Sequence, residues 1–138
     1  MTAYVLDVSL TMAWCFADEA SDDTRALLRR LEDDTALVPG IWAAEVANVL
    51  LVAERRRRID RAQVRSFVAR LMALPIVVEE AGAARTLGEV LSVGRDTRLA
   101  AYDALYLDLA LRRGQPLATL DTALRAAARR MRIPVLPK

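Results

Sequence analysis

The sequence contains no histidine, a single cysteine (Cys15) and a single lysine (Lys138). These absences exclude a Ser-His-Asp triad, a Cys/His zinc site and a disulfide framework. No internal lysine is available for a Schiff base or for a phosphate-binding GK[ST] loop. The five glycines are scattered, so the GxGxxG dinucleotide-binding motif is absent as well. If the chain is an enzyme, its reactive groups are expected to be carboxylates acting with a bound cation.

The composition predicts one globular domain spanning residues 1–138. Apolar residues make up 54% of the chain and charged residues 28%, which is enough to fill a core and too interspersed for disorder. No apolar run reaches the ~18–20 residues of a membrane span, and the start MTAYVLDVSL lacks the basic segment of a signal peptide. We therefore expect a soluble, cytoplasmic protein without membrane association. The net charge of +2 does not by itself indicate a nucleic-acid binder.

Short apolar runs alternate with longer helical patterns along the whole chain. This alternation predicts an α/β fold with a mostly parallel sheet of about five strands, covered by helices on both faces. Pro134 predicts that the last strand lies at an edge of the sheet, because proline cannot donate to the ladder. The predicted strands are Ala3–Leu6, Ala36–Val38, Ile76–Val78, Leu117–Thr119 and Ile133–Leu136.

Apolar stripes with helical spacing lie between these strands. They comprise Val46, Val49, Leu50 and Ala53, then Val64, Phe67, Val68, Leu71 and Met72, then Ala83, Leu87, Val90 and Leu91. Candidate helix boundaries are the N-caps Ser21 or Asp22 and Asp60, and the terminators Gly114 and Pro116 after a helix from about Ala100 to Arg113.

Two aspartates, Asp7 in VLDVSL and Asp121 in LATLDTAL, each come just after a predicted strand. In an open parallel sheet, functional groups gather outside the carboxyl ends of the strands, so both positions suit a site. Aspartate also commonly begins a helix, and either residue could be an N-cap instead. Ser9 is placed to orient the Asp7 carboxylate by a hydrogen bond, or to cap the helix itself.

Two further acids lie in predicted helices. Glu45, in IWAAEVANVL, precedes the apolar stripe of its helix, and Asn48 could hold it by a hydrogen bond. A solvated surface glutamate is the alternative. Asp103 lies in the nearly all-apolar stretch AAYDALYLDLAL, where an ionised carboxylate needs partners. Asp108 lies roughly 140° away around the same helix, so the two do not share one site, and we favour Asp103.

Four carboxylates gathered at one edge of the sheet would need a cation. Two unit charges about 4 Å apart repel by about 4 kcal/mol at an effective dielectric of 20, so several pairs would rival the ~5–15 kcal/mol stability of a domain. Ligands that are all oxygen select hard ions, Mg²⁺ or Mn²⁺. Such an ion can activate water and neutralise a phosphodiester transition state without histidine or lysine.

The segments VLDVSL, AAEVANVL, AAYDALYLDLAL and LATLDTAL together resemble the PIN-domain ribonucleases, specifically the VapC-type toxins of toxin–antitoxin pairs. The resemblance covers essentially the whole chain. By position, the family's four acidic residues are matched by Asp7, Glu45, Asp103 and Asp121. Supporting polar positions of the family are matched by Ser9, Asn48 and Thr119.

This resemblance implies a three-layer α/β/α sandwich and Mg²⁺- or Mn²⁺-dependent cleavage of RNA. It also implies a homodimer that a VapB-type antitoxin inhibits. We expect Asp7 and Asp103 to be the principal metal ligands, with Glu45 and Asp121 completing the acidic pocket directly or through water.

Three other functions stay open at this point. A DNA-directed nuclease would use the same metal site, and a non-enzymatic α/β interaction module would carry the acids incidentally. A phosphotransfer domain fits poorly, because DVS lacks the second aspartate of a DxD motif and no internal lysine is present. The arginine run Arg55–Arg58 is either a solvated helix end or a contact to the RNA backbone.

Overall fold

The computed structural model describes residues 2–138 and contains a five-stranded, all-parallel sheet with helices packed on it. The strand order is β3-β2-β1-β4-β5. The strands are β1 (Ala3–Leu6), β2 (Thr35–Val38), β3 (Ile76–Val78), β4 (Leu117–Ala118) and β5 (Val135–Leu136). The predicted α/β/α sandwich with a parallel sheet is confirmed.

The helices are α1 (Val8–Cys15), α2 (Asp22–Arg30), α3 (Trp42–Arg55), α4 (Arg61–Met72), α5 (Ala83–Arg85), α6 (Leu91–Thr97), α7 (Ala101–Arg113) and α8 (Thr122–Arg130). A 3₁₀ turn, Ala17–Glu19, follows α1, and a π-helical turn, Thr86–Val90, joins α5 to α6. None of the helices between residues 2 and 138 combines the length and the apolarity that a bilayer crossing requires.

The central strand β1 is apolar at successive positions because both of its faces are covered. Tyr4, Val5 and Leu6 are fully buried. Val5 lies opposite Leu37 of β2 on one side and opposite Leu117 of β4 on the other. β2 and β3 lie on one side of β1, and β4 and β5 lie on the other. The boundary between β1 and β4 is therefore a topological switch point, where α/β proteins place their ligands.

The last strand lies at an edge of the sheet, as Pro134 predicted. The strand begins at Val135 and not at Ile133 as expected. The Ile133 backbone N–H donates to Ala128 O (2.8 Å) in the turn that ends α8, so it is not available to the sheet. β4 ends at Ala118, one residue early, and frees the Thr119 side chain for the contacts described below.

Two of the expected helix starts are confirmed as capping boxes. Ser21 Oγ accepts from the Thr24 backbone N–H (3.1 Å) at the start of α2, so Ser21 rather than Asp22 is the cap. Asp60 Oδ1 accepts from the Gln63 backbone N–H (2.8 Å) at the start of α4. Ala100 lies just outside α7 as its N-cap, and Gly114 ends that helix in the left-handed conformation, which glycine adopts without steric cost.

The third apolar stripe forms a helix but does not form a buried face. Leu87 and Leu91 are 73% and 41% exposed, and Val90 is fully buried. The π-helical turn Thr86–Val90 adds residues per turn and rotates the face that a regular 3.6-residue period predicts. The expectation of a continuous stripe over Ala83–Leu91 is therefore wrong at this turn.

Candidate active site

Asp7 leaves β1 at its carboxyl end and begins α1, so the N-cap role considered for it is confirmed, and it lies at the sheet edge where a site is expected. Its carboxylate accepts the Leu10 backbone N–H (3.0 Å) as an N-cap and is 5% exposed. The Ser9 hydroxyl lies 2.8 Å and 2.9 Å from the two carboxylate oxygens. The predicted Ser9–Asp7 hydrogen bond is confirmed, and it fixes the carboxylate at the switch point.

Thr119 connects Asp7 to Asp121. The fully buried Thr119 hydroxyl donates to Asp7 Oδ2 and accepts from the Asp121 backbone N–H (3.0 Å). The Ser9 hydroxyl in turn accepts from the Leu120 backbone N–H (2.9 Å). Asp121 also caps α8, because its Oδ1 accepts from the Leu124 backbone N–H (2.8 Å). The β1 and β4 ends are thereby joined through side chains more than 100 positions apart in sequence.

Glu45 and Asp103 face this pair from two helices. Glu45 lies in the first turn of α3 and Asp103 in the first turn of α7, and both are partly buried. The Tyr106 hydroxyl, one turn after Asp103, donates to Glu45 Oε1 (2.7 Å). Its ring is almost fully buried, so the bond holds the glutamate from the core side.

Burial raises the pKa of three of the four acids, and the charges of neighbouring carboxylates act in the same direction. Burial raises the pKa of Asp7 from 3.8 to about 6, against the lowering effect of the hydrogen bonds from its neighbours, and the charge of Asp121 raises it further. Burial also raises the pKa of Asp103 and of Glu45. The charge of Asp121 acts in the same direction on Asp103, and that of Asp103 acts on Glu45. The sheet edge is therefore an acidic pocket in which ionisation is costly without a cation.

Asn48 and Asp108 lie in surroundings that differ from those the sequence predicts. Asn48 is exposed and does not bond Glu45, since Tyr106 takes that place. Asp108 is the more deeply buried acid of α7 at 2% exposure, yet it lies outside the pocket. The Asp108 carboxylate forms salt bridges with Arg85 (2.8 Å) and Arg112 (2.9 Å), and these two guanidinium groups balance its charge.

Tyr106 is the contact that sequence reasoning missed. Its spacing of three from Asp103 puts the two residues on one side of the helix. That spacing was a usable signal for a polar neighbour of the site.

The pocket suits a hard divalent cation by its chemistry. Its side-chain donors are carboxylate and hydroxyl oxygens, the ligands that Mg²⁺ and Mn²⁺ prefer. Within residues 2–138, no group of three or more acidic or cysteine side chains is arranged to hold one ion directly. Magnesium in particular binds through one or two carboxylates and keeps several waters, so this arrangement fits it.

Without metal, replacing Asp7 by asparagine is expected to stabilise the protein above about pH 6 and to have little effect below about pH 4. The folded-state pKa of Asp7 lies above its unfolded value, so the stability present below pH 3.8 is lost as the pH rises through about 6. A shift of about two units corresponds to about 3 kcal/mol, reduced by the Thr119 hydrogen bond that the amide cannot accept in the same way. We expect a net gain of roughly 1–2 kcal/mol in urea unfolding with EDTA.

Asp33→Asn is the matched control for that measurement. Asp33 is exposed and lies just before β2, at the amino end of the strands, whereas Asp7 lies at their carboxyl end. Asp33→Asn should leave the free energy of unfolding unchanged at both pH values. A gain for Asp7→Asn that is equal at the two pH values would show that ionisation is not its cause.

The model of the PIN domain matches residues 4–130, nearly the whole chain, and the chain belongs to the PIN-domain family. Comparison with curated proteins finds no match.

Several solved structures share the fold. PAE2754 from Pyrobaculum aerophilum is 26% identical, with a TM-score of 0.69, and the match covers 91% of this chain and 79% of that chain. VapBC2 from Rickettsia felis, bound to a DNA fragment from their promoter, has a TM-score of 0.69 at 14% identity and covers 97% of both chains. VapC20 from Mycobacterium tuberculosis, a sarcin-ricin loop cleaving toxin, has a TM-score of 0.62 at 16% identity and covers 90% of this chain and 94% of that chain. At the level of the fold, the resemblance to VapC-type PIN domains is confirmed.

Proposed function

We propose that the chain is a metal-dependent endoribonuclease and the toxin of a toxin–antitoxin pair. The observation that carries the proposal is the acidic pocket of Asp7, Glu45, Asp103 and Asp121 at the switch point of a PIN-domain sheet. PIN-domain nucleases generally use divalent metal ions. The likeness to VapC20, a sarcin-ricin loop cleaving toxin, supports RNA as the substrate.

We propose a role for each pocket residue. Asp7 and Asp103 are assigned as the principal ligands of Mg²⁺ or Mn²⁺, with Glu45 and Asp121 binding directly or through water. Ser9 and Thr119 fix the rotamer of Asp7 by donating to its carboxylate. A divalent cation, when bound, activates water and offsets the charge of the phosphodiester in the transition state.

Purified protein is expected to cleave single-stranded RNA with Mg²⁺ or Mn²⁺ and to lose this activity in EDTA. The same sequence should be tested as single-stranded DNA and as duplex DNA, since the acidic pocket does not itself distinguish the sugar. Equal cleavage of DNA would favour the DNA-directed nuclease. Absence of cleavage of every substrate with either metal would favour the interaction module.

The likeness to VapBC2 supports a VapB-type antitoxin as partner, and the VapC-type resemblance supports a homodimer in the cytoplasm. An apolar groove lies between α3 and α4. Leu51, Val68 and Met72 line it and are 45%, 38% and 64% exposed, so covering them would remove a large apolar area from water.

A further inference from the structure

A second groove runs along α3 away from the acidic pocket. Two adjoining depressions form it, and they share Asn48 and Val49. The side chains that follow one another along it are Tyr102, Glu45, Asn48, Val49, Val52 and Arg56. Because an α-helix rises 1.5 Å per residue, Arg56 lies roughly 16 Å along the axis from Glu45. We call this surface the α3 groove. It begins beside Glu45 of the acidic pocket and ends at the Arg56 side chain.

Arg56 is the cation of the arginine run that is free to bind an anion in this groove. Its side chain is exposed and makes no ion pair with any residue from 2 to 138. Arg58 also borders the groove, but its guanidinium pairs with Asp18 (2.9 Å) and Glu19 (2.8 Å) and lies 3.7 Å from the centre of the Phe16 ring. Arg58 is therefore held by structure, and Arg56 is not.

The other two arginines of the run do not line the α3 groove. Arg57 borders a separate depression beside the start of α4, and Arg55 borders neither part of the groove. Within the run Arg55–Arg58, Arg56 therefore lines the groove without an ion-pair partner and Arg58 is held by its ion pairs. Arg55 and Arg57 do not line the groove. This division supplies a matched control, because Arg55 and Arg56 are adjacent and carry the same charge.

The pocket end of the groove carries an exposed aromatic ring. Tyr102 precedes Asp103 and is 60% exposed, although its neighbour along the helix face, Tyr106, is buried. An exposed ring beside an acidic pocket offers a platform on which an unpaired base can stack. Asn48, between the ring and Arg56, presents an amide that can both donate to and accept from a base edge.

Resting on the proposed nuclease activity, we propose that the α3 groove is the track of a single-stranded RNA. One base stacks on Tyr102 beside the pocket, Asn48 contacts a base edge, and Arg56 binds a backbone phosphate at the far end. The half-buried aliphatic floor of Val49 and Val52 suits unstacked bases, whereas a duplex hides its base faces.

The test measures binding of a labelled single-stranded RNA of mixed sequence to the full chain in EDTA, over a series of salt concentrations. Arg56→Gln should weaken binding by roughly three- to tenfold and lower the salt slope by about 0.7, since one phosphate contact is lost. Arg55→Gln should change neither quantity. Tyr102→Ala should weaken binding by about fivefold or more, and Tyr102→Phe should restore it, because stacking needs the ring and not the hydroxyl.

Equal behaviour of Arg56→Gln and Arg55→Gln would overturn the track and leave Arg56 as a solvated helix end. Equal binding of the matching RNA duplex, with no effect of Tyr102→Ala, would overturn its single-strand character. The cleavage assay separates this proposal from the proposed function. Wild-type cleavage with an unchanged KM for Arg56→Gln defeats the track alone, whereas the expected binding pattern without any metal-dependent cleavage defeats the nuclease alone.

Discussion

Asp103→Asn is expected to lower the proposed RNA cleavage by about a thousandfold or more at saturating Mg²⁺, which is the largest effect that we expect from a single substitution. Asparagine keeps the shape of the side chain and removes the charge that holds the cation. Asp103 lies in the first turn of α7 with its carboxylate partly buried among the other acids of the pocket. Asp7→Asn should cause a loss of the same order, since Asp7 is the other principal ligand that we assign.

The measurement is a single-turnover cleavage assay of chelator-treated protein with metal added back. Asp33→Asn, at the opposite edge of the sheet, is the control and should cleave at the wild-type rate. An unchanged thermal unfolding profile shows that a variant is folded. Cleavage by Asp103→Asn near the wild-type rate would remove Asp103 from the site.

The second large effect is on stability. Mg²⁺ or Mn²⁺ should stabilise the protein by about 2.7 kcal/mol at a hundred times its dissociation constant, through binding to the folded state alone. For a domain of this size, that corresponds to a rise in Tm of roughly 10 °C. The physical reason is that burial raises the pKa of Asp7, Glu45 and Asp103, and the charge of a neighbouring carboxylate acts on each of them in the same direction, so their ionised forms are costly. A cation offsets this cost.

Asp103→Asn separates this cause from unspecific ion effects. Removing one charge should raise the Tm of the metal-free protein and blunt its response to metal. Asp33→Asn should keep the full response, because the control residue is exposed and lies just before β2, at the amino end of the strands, whereas the pocket lies at their carboxyl end. A full metal response in Asp103→Asn would show that the cation binds elsewhere.

The acidic pocket also explains why Ser9 and Thr119 are present at this sheet edge. A buried carboxylate without partners would have a pKa raised still further, and both hydroxyls lower the pKa of Asp7 by donating to the ionised form. They favour the ionised form of Asp7 near neutral pH and hold its carboxylate in one rotamer. For the cation that we propose, this rotamer is already set, which is the preorganisation that a metal site needs.

The strands could be predicted from the sequence because their signal is local. Buried parallel strands are short uninterrupted apolar runs, and Ala3–Leu6 and Ile76–Val78 were predicted with their observed bounds. The helix caps Ser21 and Asp60 were predictable for the same reason, since a cap involves residues only three positions apart. The buried face of the helical segment after Ala83 was not predictable, because the π-helical turn breaks the period on which the reasoning depends.

The sequence by itself determined the available chemistry. With no histidine and no internal lysine, only carboxylates at strand ends and helix starts were left to form a reactive site. It also determined the parallel sheet whose carboxyl edge collects those acids. The tertiary structure decided which partners the acids have. Thr119 reaches Asp7 across 112 positions, and Tyr106 reaches Glu45 across 61.

The tertiary structure also decided which acid of α7 belongs to the pocket. Helical spacing separates Asp103 from Asp108, but it does not tell which of the two is paired with arginine side chains. Arg85, which binds Asp108, comes from another helix 23 positions away. In the same way, four adjacent arginines look alike in sequence, and only the fold ties Arg58 to the turn after α1 and leaves Arg56 on the groove. Contacts between residues distant in the chain form only when the sheet and its helices are packed, so no local pattern encodes them.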